Sequence, residues 1–292
     1  MARAKRGRWG EGVLGALLVR VLAGHFEAAS LPADSPYGWP KGGAIFATRL
    51  VNSGFVVRYH EWFGAPEWVA YRADPPARFR LQPRPEQFEP DMRTWRCRLH
   101  LWCVTHETYR GSGFDRGHMA PNFLIGTRYG PAAQQATFLL SNIAPQRPEH
   151  NRGIWERLER LEANRFAPGA DKLWVIVGPV FSAHPPRIGH EQVAVPEAFY
   201  RILVREAADG RREAIAFLIP QKAPAEADLR RYIVPINAIE AKTGLDFFPE
   251  LSREEQMRLQ AQPADPLAWG LSDEWATQPP RYTSGHGQHR SR

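Results

Sequence analysis

Five short runs of β-branched and aromatic residues constrain the fold of this 292-residue chain more than any other feature of its sequence. Turn-forming residues separate these runs, and their composition is typical of β-strands. Helical patterns do not alternate with the runs, so a parallel sheet built from βαβ units is not expected. The sequence therefore predicts an α+β fold with an antiparallel sheet at its core. The predicted strands are residues 54–59, 67–71, 173–177, 199–204 and 213–219.

Helical signals are fewer than strand signals. Pro224 suits the first turn of a helix, Thr243 and Gly244 form a typical helix end, and Ser252 begins a Ser-x-x-Glu capping box. The predicted helices are residues 154–165, 224–231, 236–242 and 252–260.

The charge of the chain favours a polyanionic partner without identifying one. Lysine and arginine number 38 against 31 acidic residues, which gives a formal net charge of +7. Arginine is much more frequent than lysine, and its guanidinium group can bind phosphate oxygens through two parallel hydrogen bonds. With 43% hydrophobic residues and no internal repeat, the chain can bury one large core or two small ones, and one main domain with loose ends is expected.

The two ends of the chain differ from its middle. Residues 1–36 contain a basic start, a short apolar run and a stretch of small residues, an order that resembles a secretory signal. The alternatives are a linker or an amphipathic helix that packs on the domain or on a membrane surface. No stretch reaches the roughly 20 apolar residues of a membrane-spanning helix. The catalytic domain is predicted at residues 37–262, and residues 263–292 are predicted to be a disordered basic tail.

The chain has two cysteines, Cys97 and Cys103, and histidines at positions 100 and 106 continue the same three-residue spacing. These four residues could bind zinc, but four ligands in one short stretch lack the loop that usually brings two ligand pairs together. A single disulfide is the second alternative. Ordinary strand or loop residues are the interpretation that the spacing favours.

The densest cluster of reactive residue types is Gly-Ser-Gly-Phe-Asp-Arg-Gly-His, residues 111–118. The imidazole of His118 can activate water near neutral pH, and Arg116 can bind phosphate oxygens. Asn151 and Glu159 add oxygen atoms that suit a hard cation. Together these residue types favour hydrolysis of a phosphodiester.

Glu159 falls on the predicted helix 154–165, and Asn151 lies just before it, at the expected start of the helix. On an α-helix they would lie roughly 12 Å apart along the axis, so they cannot readily share the inner coordination shell of one ion. A cation bound by one amide, phosphate oxygens and several waters would be Mg²⁺ rather than zinc, and Mn²⁺ should substitute for it.

The segment Asp115-Arg116-Gly117-His118 is the DRGH signature, and it resembles the DNA/RNA non-specific endonuclease family. These ββα-metal nucleases, also called His-Me finger nucleases, include mitochondrial endonuclease G and secreted bacterial nucleases. Further segments resemble the family in the same order, so the resemblance covers roughly residues 37–255. It implies a magnesium-dependent endonuclease that hydrolyses both DNA and RNA, single or double stranded, and leaves 5′-phosphates.

The resemblance also implies roles for the residues that match. His118 is the expected general base, Arg116 contacts the substrate, and Asp115 supports the catalytic groups. Asn151 is expected to bind Mg²⁺ directly, and Glu159 to hold its water ligands. From the residues alone, Asp115 could instead cap a turn and Glu159 could be a helix-surface carboxylate paired with a neighbouring arginine.

Other matches to the family are weaker or absent. Asn142 and Gln146 flank the site in relatives and are expected to tie the following loop to the catalytic strand. Arg84 loosely matches an arginine that stabilises charge in the transition state. Several relatives carry an arginine four residues after the glutamate, whereas this chain has Ala163. Arg160 or Arg165 are the candidates to compensate for this difference.

Two other functions fit the same residues. One is a catalytically silent module that binds nucleic acid, and the other is a phosphodiesterase for small nucleotides. A free nuclease would endanger the genome of its host, so export to a secreted, periplasmic or envelope-associated location, or an inhibitor protein, is expected, with a cytoplasmic location as the alternative. Some relatives are homodimers, and the sequence leaves the oligomeric state and the DNA or RNA preference open.

Overall fold

The computed structural model describes residue 35 and residues 37–281. Its main element is a six-stranded sheet in which all neighbouring strands are antiparallel. The strands of the described chain are β1 (Lys41–Gly42), β2 (Ala47–Asn52), β3 (Phe55–His60), β4 (Ala65–Arg72), β5 (Asp115–His118), β6 (Ile143–Gln146), β7 (Lys172–Val180), β8 (Arg187–Ile188), β9 (Val193–Ala194), β10 (Ala198–Glu206), β11 (Arg212–Pro220) and β12 (Leu245–Asp246). The order across the large sheet is β11-β10-β7-β4-β3-β2, and β1-β12, β5-β6 and β8-β9 form separate pairs.

The α+β class and all five predicted strands are confirmed, as β3, β4, β7, β10 and β11. The sequence patterns missed β2, the edge strand. Its sequence, Ala-Thr-Arg-Leu-Val-Asn, contains few apolar residues, and only Leu50 and Asn52 in it are buried. An edge strand that buries so little carries a weaker apolar pattern than a strand in the middle of a sheet.

The central strands are apolar throughout because both faces of the sheet are covered. Successive side chains of a strand point to opposite faces. Val175 and Val177 of β7 belong to the hydrophobic cluster that includes the helical residues Ile154 and Leu158, whereas Trp174 and Ile176 belong to a second cluster. This second cluster contains the helical residues Ile236 and Ile239. The sheet therefore lies between two helical layers.

The helical segment after β6 runs from residue 150 to residue 166 with a kink at Gly153, whose φ of -104° and ψ of -107° are not helical, and we call it the motif helix. It consists of a π-helical turn (His150–Trp155), an α-helix (Glu156–Leu161) and a second π-helical turn (Glu162–Phe166). The other α-helices of the described chain are α1 (Trp95–Arg98), α2 (Asn122–Tyr129), α3 (Pro131–Ala136), α4 (Ile236–Thr243), α5 (Arg253–Gln260) and α6 (Asp273–Thr277).

Three of the four predicted helices are confirmed. Gly244 ends α4 in the left-handed conformation, and the hydroxyl of Ser252 accepts a hydrogen bond from the backbone amide of Glu255 at the start of α5. The helix predicted at residues 224–231 is wrong, since only a 3₁₀ turn, Leu229–Tyr232, forms there. The carbonyl groups of Ala225 and Ala227 instead accept hydrogen bonds from the motif helix.

The C-terminal segment corrects the predicted domain boundary. Residues 263–281 do not form a disordered tail: Trp269, Leu271 and Ala276 are buried in the cluster that contains the motif helix. The sequence prediction failed because the apolar residues of this segment are few and widely spaced, so they lack a helical or strand period. Residues 282–292 lie outside the described part of the chain.

Cys97 and Cys103 form a disulfide, which corrects the prediction of two ordinary cysteines. The chain reverses between them through His100 and Trp102, whose φ angles are both 54°, and this turn brings the cysteine Cα atoms to 4.3 Å. Sequence spacing alone does not reveal such a turn. Within residues 35 and 37–281, no group of three or more histidine, cysteine or acidic side chains could hold a metal ion, so zinc is not supported there.

The proposed signal or anchor, residues 1–36, lies almost wholly outside the described residues. In the portion of the chain that is described, no helix combines the length and the apolar character needed to cross a bilayer.

Candidate active site

The DRGH motif forms a short strand, β5, that pairs with β6. The motif helix follows β6 in the chain. Asp115 lies opposite Gln146, and His118 lies opposite Ile143. The glycine between them is needed because a Cβ atom at Gly117 would lie 2.0 Å from the side-chain oxygen of Gln146. Two strands followed by a helix are the arrangement that the sequence predicted from the motif.

A cleft of about 1090 Å³ lies between this motif and the neighbouring loops. The structure brings five predicted site residues to its wall: Arg84, Arg116, His118, Asn151 and Glu159. Asp115 also lines the cleft, whereas Asn142 and Gln146 are fully buried behind it. Groups separated by more than seventy positions in the sequence therefore face one space.

His118 lies in an apolar environment made by two phenylalanines. Its ring is 5.4 Å from that of Phe88 and 5.1 Å from that of Phe138, with the second ring edge-on. Burial lowers the pKa of His118 to about 3, and the positive charge of Arg84 acts in the same direction. The imidazole is therefore neutral at physiological pH, which is the form that can accept a proton.

Two side chains fix the backbone around His118. The indole nitrogen of Trp155 donates a hydrogen bond to the His118 carbonyl at 3.3 Å. The Asn142 side chain accepts one from the backbone amide of Ala120 at 2.9 Å, and its amide group donates to the carbonyls of Ala120 and Thr137. Both contacts join β5 to the elements packed around it, so they position the imidazole without touching the cleft.

Asp115 orients the amide of Asn151. The Asn151 Nδ2 donates a hydrogen bond to Asp115 Oδ2 at 2.9 Å, and Arg152 donates two more to the same carboxylate at 2.8 and 2.7 Å. With its nitrogen held by Asp115, the Asn151 side chain turns its oxygen away, and this oxygen accepts no hydrogen bond from the described residues. An acceptor fixed in this way suits a cation.

Glu159 lies deeper in the cleft, beside a buried ion pair. Arg201 of β10 is fully buried and donates to Glu162, and its other terminal nitrogen lies 3.5 Å from Glu159 Oε1. Burial raises the pKa of Glu159 to about 7, although the Arg201 guanidinium lowers it. The side chain of Glu159 keeps 25% exposure on the cleft side. Glu159 is thus paired with Arg201 of strand β10, not with Arg160.

The two arginines expected to contact substrate are held by aromatic rings. The Arg116 guanidinium lies 5.8 Å from the ring centre of Phe88 and 5.5 Å from that of Tyr109, and it donates to the carbonyl of His106. Arg84 lies 5.5 Å from the ring centre of Phe138. Within the described chain neither arginine pairs with a carboxylate, so both charges are available to an anion in the cleft.

Ala163 also lines the cleft, at the position where the family resemblance predicted an arginine. Of the two candidates to replace that arginine, Arg160 lies on the cleft wall. Arg165 is placed elsewhere, against Gly270 of the C-terminal segment.

Gln146 is placed differently from its expected role. Its side chain packs against Gly117, but within the described chain neither its oxygen nor its nitrogen has a hydrogen-bond partner. It therefore touches the catalytic strand without tying a loop to it through the amide.

The donor atoms of the cleft fit a hard cation that keeps most of its water. The free oxygen of Asn151 is accompanied by the side-chain oxygen of Asn122, which is buried, faces the same cleft and has no partner among the described residues. The absence of a multi-carboxylate cluster from the described residues is in line with such a site, because Mg²⁺ usually keeps several waters and needs few protein ligands.

Sequence reasoning missed Arg201, Phe88 and Phe138. Each lies far from the motif in sequence, and a buried arginine in a strand has no local pattern that separates it from an exposed one. The signal that could have found Arg201 is its position inside an otherwise apolar run, residues 198–204. A charge there must either be paired or face water.

Known proteins with similar sequences are found in one family. The sequence model of the DNA/RNA non-specific endonuclease family matches residues 47–254. Human mitochondrial endonuclease G is 36% identical over 159 residues, which cover 51% of this chain and 52% of the relative. The mitochondrial nuclease EXOG of Xenopus laevis is 31% identical over 236 residues, which cover 76% of this chain and 63% of the relative. Both matches therefore span less than two thirds of these mitochondrial proteins.

One solved structure is similar to this chain over most of the solved chain's length. A chain in the crystal structure of the EndoG/EndoGI complex, which concerns the mechanism of EndoG inhibition, superposes with a TM-score of 0.65 and 27% identity. The superposition covers 76% of this chain and 95% of that one. The bacterial nuclease of Nostoc sp. is 29% identical over 221 residues, 73% of this chain and 77% of the relative.

Proposed function

The chain belongs to the DNA/RNA non-specific endonuclease family, and we propose that it is a magnesium-dependent endonuclease that cuts DNA and RNA without sequence specificity. One observation carries the proposal: a single cleft holds the neutral imidazole of His118, the Asn151 oxygen and the guanidinium groups of Arg84 and Arg116, and among the described residues this oxygen has no donor and these arginines no carboxylate partner. These groups address phosphate and water, not the edges of bases, so no sequence preference is expected.

The proposed reaction is an in-line attack of water on phosphorus. His118 takes the proton of the attacking water, and burial keeps its imidazole in the neutral form that can accept this proton near neutral pH. Arg84 and Arg116 bind the phosphate oxygens and stabilise the charge that develops on them. Water held beside Glu159 returns a proton to the departing 3′ oxygen, which leaves a 5′-phosphate on the other product.

Asn151 would hold Mg²⁺ through its side-chain oxygen, and Glu159 would hold the water around the ion. When bound, the ion supplies positive charge beside the phosphate and the leaving oxygen. Mn²⁺ is expected to substitute, since it accepts the same oxygen ligands. Asp115 maintains the orientation of Asn151 through the hydrogen bond at 2.9 Å.

Two assays separate this function from its rivals. The wild-type protein should cut plasmid DNA and a long RNA in the presence of Mg²⁺, and EDTA or His118→Ala should abolish cutting. His184→Ala changes an exposed histidine outside the cleft and serves as the matched control. Binding of DNA without cutting in Mg²⁺ or Mn²⁺ would establish the silent binding module. Hydrolysis of bis-p-nitrophenyl phosphate without cutting of nucleic acid would establish the small-nucleotide phosphodiesterase.

We also propose that the protein works in an oxidising compartment, either secreted, periplasmic or attached to the envelope. The disulfide between Cys97 and Cys103 supports this location, because such bonds persist outside the reducing cytosol. Mass spectrometry of the mature amino terminus tests it: removal of residues 1 to about 29 supports export, whereas an intact amino terminus with reduced cysteines supports a cytoplasmic location.

An inhibitor protein and a homodimer are the protein partners we propose. The structural neighbour comes from a complex of EndoG with EndoGI, and the superposed region includes most of that chain. Gel filtration with light scattering distinguishes monomer from dimer, and affinity capture with the inactive His118→Ala variant identifies an inhibitor in the native host. Membrane association, if it occurs, is expected through the N-terminal segment alone.

A further inference from the structure

The C-terminal segment, residues 263–281, is fastened to the motif helix on one side of the cleft. Arg157 is fully buried and donates a hydrogen bond to the carbonyl of Ala276 at 2.6 Å. One turn further along the same helix, Arg160 donates to the carbonyl of Pro279, also at 2.6 Å. These contacts lead the chain along the motif helix to the wall of the cleft. The match to the family ends at residue 254, so this segment is a feature of this chain beyond the matched region.

The segment places Arg281 beside two charged residues of the motif helix. Its Nε lies 3.4 Å from Glu156 Oε1, and the same carboxylate lies 3.9 Å from Arg160. Arg281, Glu156 and Arg160 all line the cleft. Two positive charges share one negative charge, so the cluster has a net charge of +1 on the cleft wall.

The guanidinium group of Arg281 remains available, whereas the side chain of Arg160 is only 15% exposed. Arg160 uses one terminal nitrogen to bind Pro279, and the other makes no hydrogen bond within the described chain. The side chain of Arg281 is 58% exposed, and its terminal nitrogens likewise have no partner there. The side chain of Glu156 is 16% exposed and pairs with both arginines. An anion that enters the cleft on this side therefore meets Arg281 first, because its guanidinium is the most exposed of the three charged groups.

We propose that Arg160 and Arg281 form a second phosphate-binding site, which holds the nucleic-acid backbone next to the phosphate that is cut. Arg160 lies on the α-helix Glu156–Leu161, beyond the kink at Gly153 that separates this helix from Asn151, and the pair is assigned to a phosphate neighbouring the one at Asn151. The pair supplies positive charge to the cleft wall that also includes Ala163. This inference rests on the proposed nuclease function, and it specifies how a polymeric substrate is distinguished from a small ester.

A purely structural role for Arg281 makes different predictions. If Arg281 only fastens the C-terminal segment through Glu156, removing either partner should loosen the segment and lower the melting temperature. If the arginines bind phosphate, Glu156 competes with the substrate for them. Arg281→Ala should then weaken DNA binding, whereas Glu156→Gln should strengthen it.

Binding of a fluorescein-labelled 20-base-pair duplex in EDTA measures both effects. At about 100 mM salt we expect Arg281→Ala to weaken binding roughly three- to tenfold, and the slope of log K against log salt concentration to shrink by about one phosphate contact. Glu156→Gln should tighten binding by a similar factor. Arg253→Ala is the control, since it removes one exposed positive charge outside the cleft.

Activity in Mg²⁺ provides the second arm. Arg281→Ala should lower kcat/KM for the duplex by about the same factor through KM, and should leave hydrolysis of bis-p-nitrophenyl phosphate within twofold of wild type. The inference is overturned if Arg281→Ala behaves like Arg253→Ala on the duplex, or if Glu156→Gln weakens binding. Failure of the wild-type protein to cut any nucleic acid would instead refute the nuclease function, and the binding arm would still report on the second phosphate site.

Discussion

The hydrogen bond between Asp115 and Asn151 offers the sharpest test of the metal site. Asp115→Ala removes the only side-chain acceptor, among the described residues, that holds the Asn151 nitrogen. Without this hydrogen bond, the amide of Asn151 is free to rotate. Its nitrogen can then occupy the place where a cation needs an oxygen ligand. Loss of a group that orients a metal ligand typically costs 10- to 100-fold in metal affinity, or about 1.4–2.7 kcal/mol.

The assay is plasmid cutting at a series of Mg²⁺ concentrations. We expect Asp115→Ala to raise the half-saturating Mg²⁺ concentration about 10- to 100-fold. The rate at saturating Mg²⁺ should recover much of the wild-type value, because Asp115 does not touch the reacting phosphate. Circular dichroism should show a native fold, since Asp115 lies at the wall of the cleft and not in the core.

Arg152→Ala is the matched control. It removes the other partner of Asp115, a surface ion pair in which the arginine side chain is 59% exposed, and leaves the Asn151 contact intact. Such pairs contribute about 0.2–1 kcal/mol, so a change of less than about fivefold is expected. Our reasoning is refuted if Asp115→Ala leaves the Mg²⁺ requirement unchanged. It is also refuted if Arg152→Ala raises that requirement as much as Asp115→Ala does.

Four further outcomes follow from the buried charges and the disulfide. Because burial raises the pKa of Glu159 to about 7, kcat/KM for DNA should rise through neutral pH as this carboxylate ionises. Glu159→Gln should remove that rise. If the rise survives in the variant, another group causes it. His118, with a pKa of about 3, should contribute no step between pH 5 and 9. Arg201→Met leaves the buried carboxylate of Glu162 without its charged partner. The free energy of unfolding in urea should therefore fall by about 3–5 kcal/mol. A loss below about 1 kcal/mol would contradict the ion pair. Cys97→Ser opens a short loop and should cost about 2 kcal/mol by the same measurement, with no effect expected if the disulfide does not form.

The sequence predicted those parts of the fold whose residues follow a local period. The central strands are buried on both faces, so their apolar runs are long and visible. The segment at residues 263–281 has no such period, although Trp269 and Leu271 are buried. Its order comes from contacts with the motif helix, such as that of Arg157 with Ala276, which join residues 119 positions apart. A local pattern cannot report a contact of that kind.

The candidate site divides in the same way. The sequence motif placed Asp115, Arg116 and His118 on one strand, and helical spacing placed Asn151 and Glu159 on one helix. What the spacing could not supply is the environment of each group. The phenylalanines around His118 and the arginine beside Glu159 come from distant segments, and they decide which protonation state each group adopts.

Burial acts on the two titratable groups of the cleft in a way that favours an anionic substrate. It disfavours the charged form of both, so His118 is neutral and Glu159 is in part protonated near pH 7. Asp115 is neutralised by Arg152. Glu149, which also lines the cleft, is 58% exposed and lies 3.8 Å from Arg147. The cleft charges without a paired carboxylate among the described residues are those of Arg84 and Arg116. The formal charges of the residues that line the cleft nearly cancel. Desolvation and ion pairing, however, reduce the effective charge of the acidic residues more than that of the arginines. A cleft that contains both signs of charge can therefore still attract a polyanion.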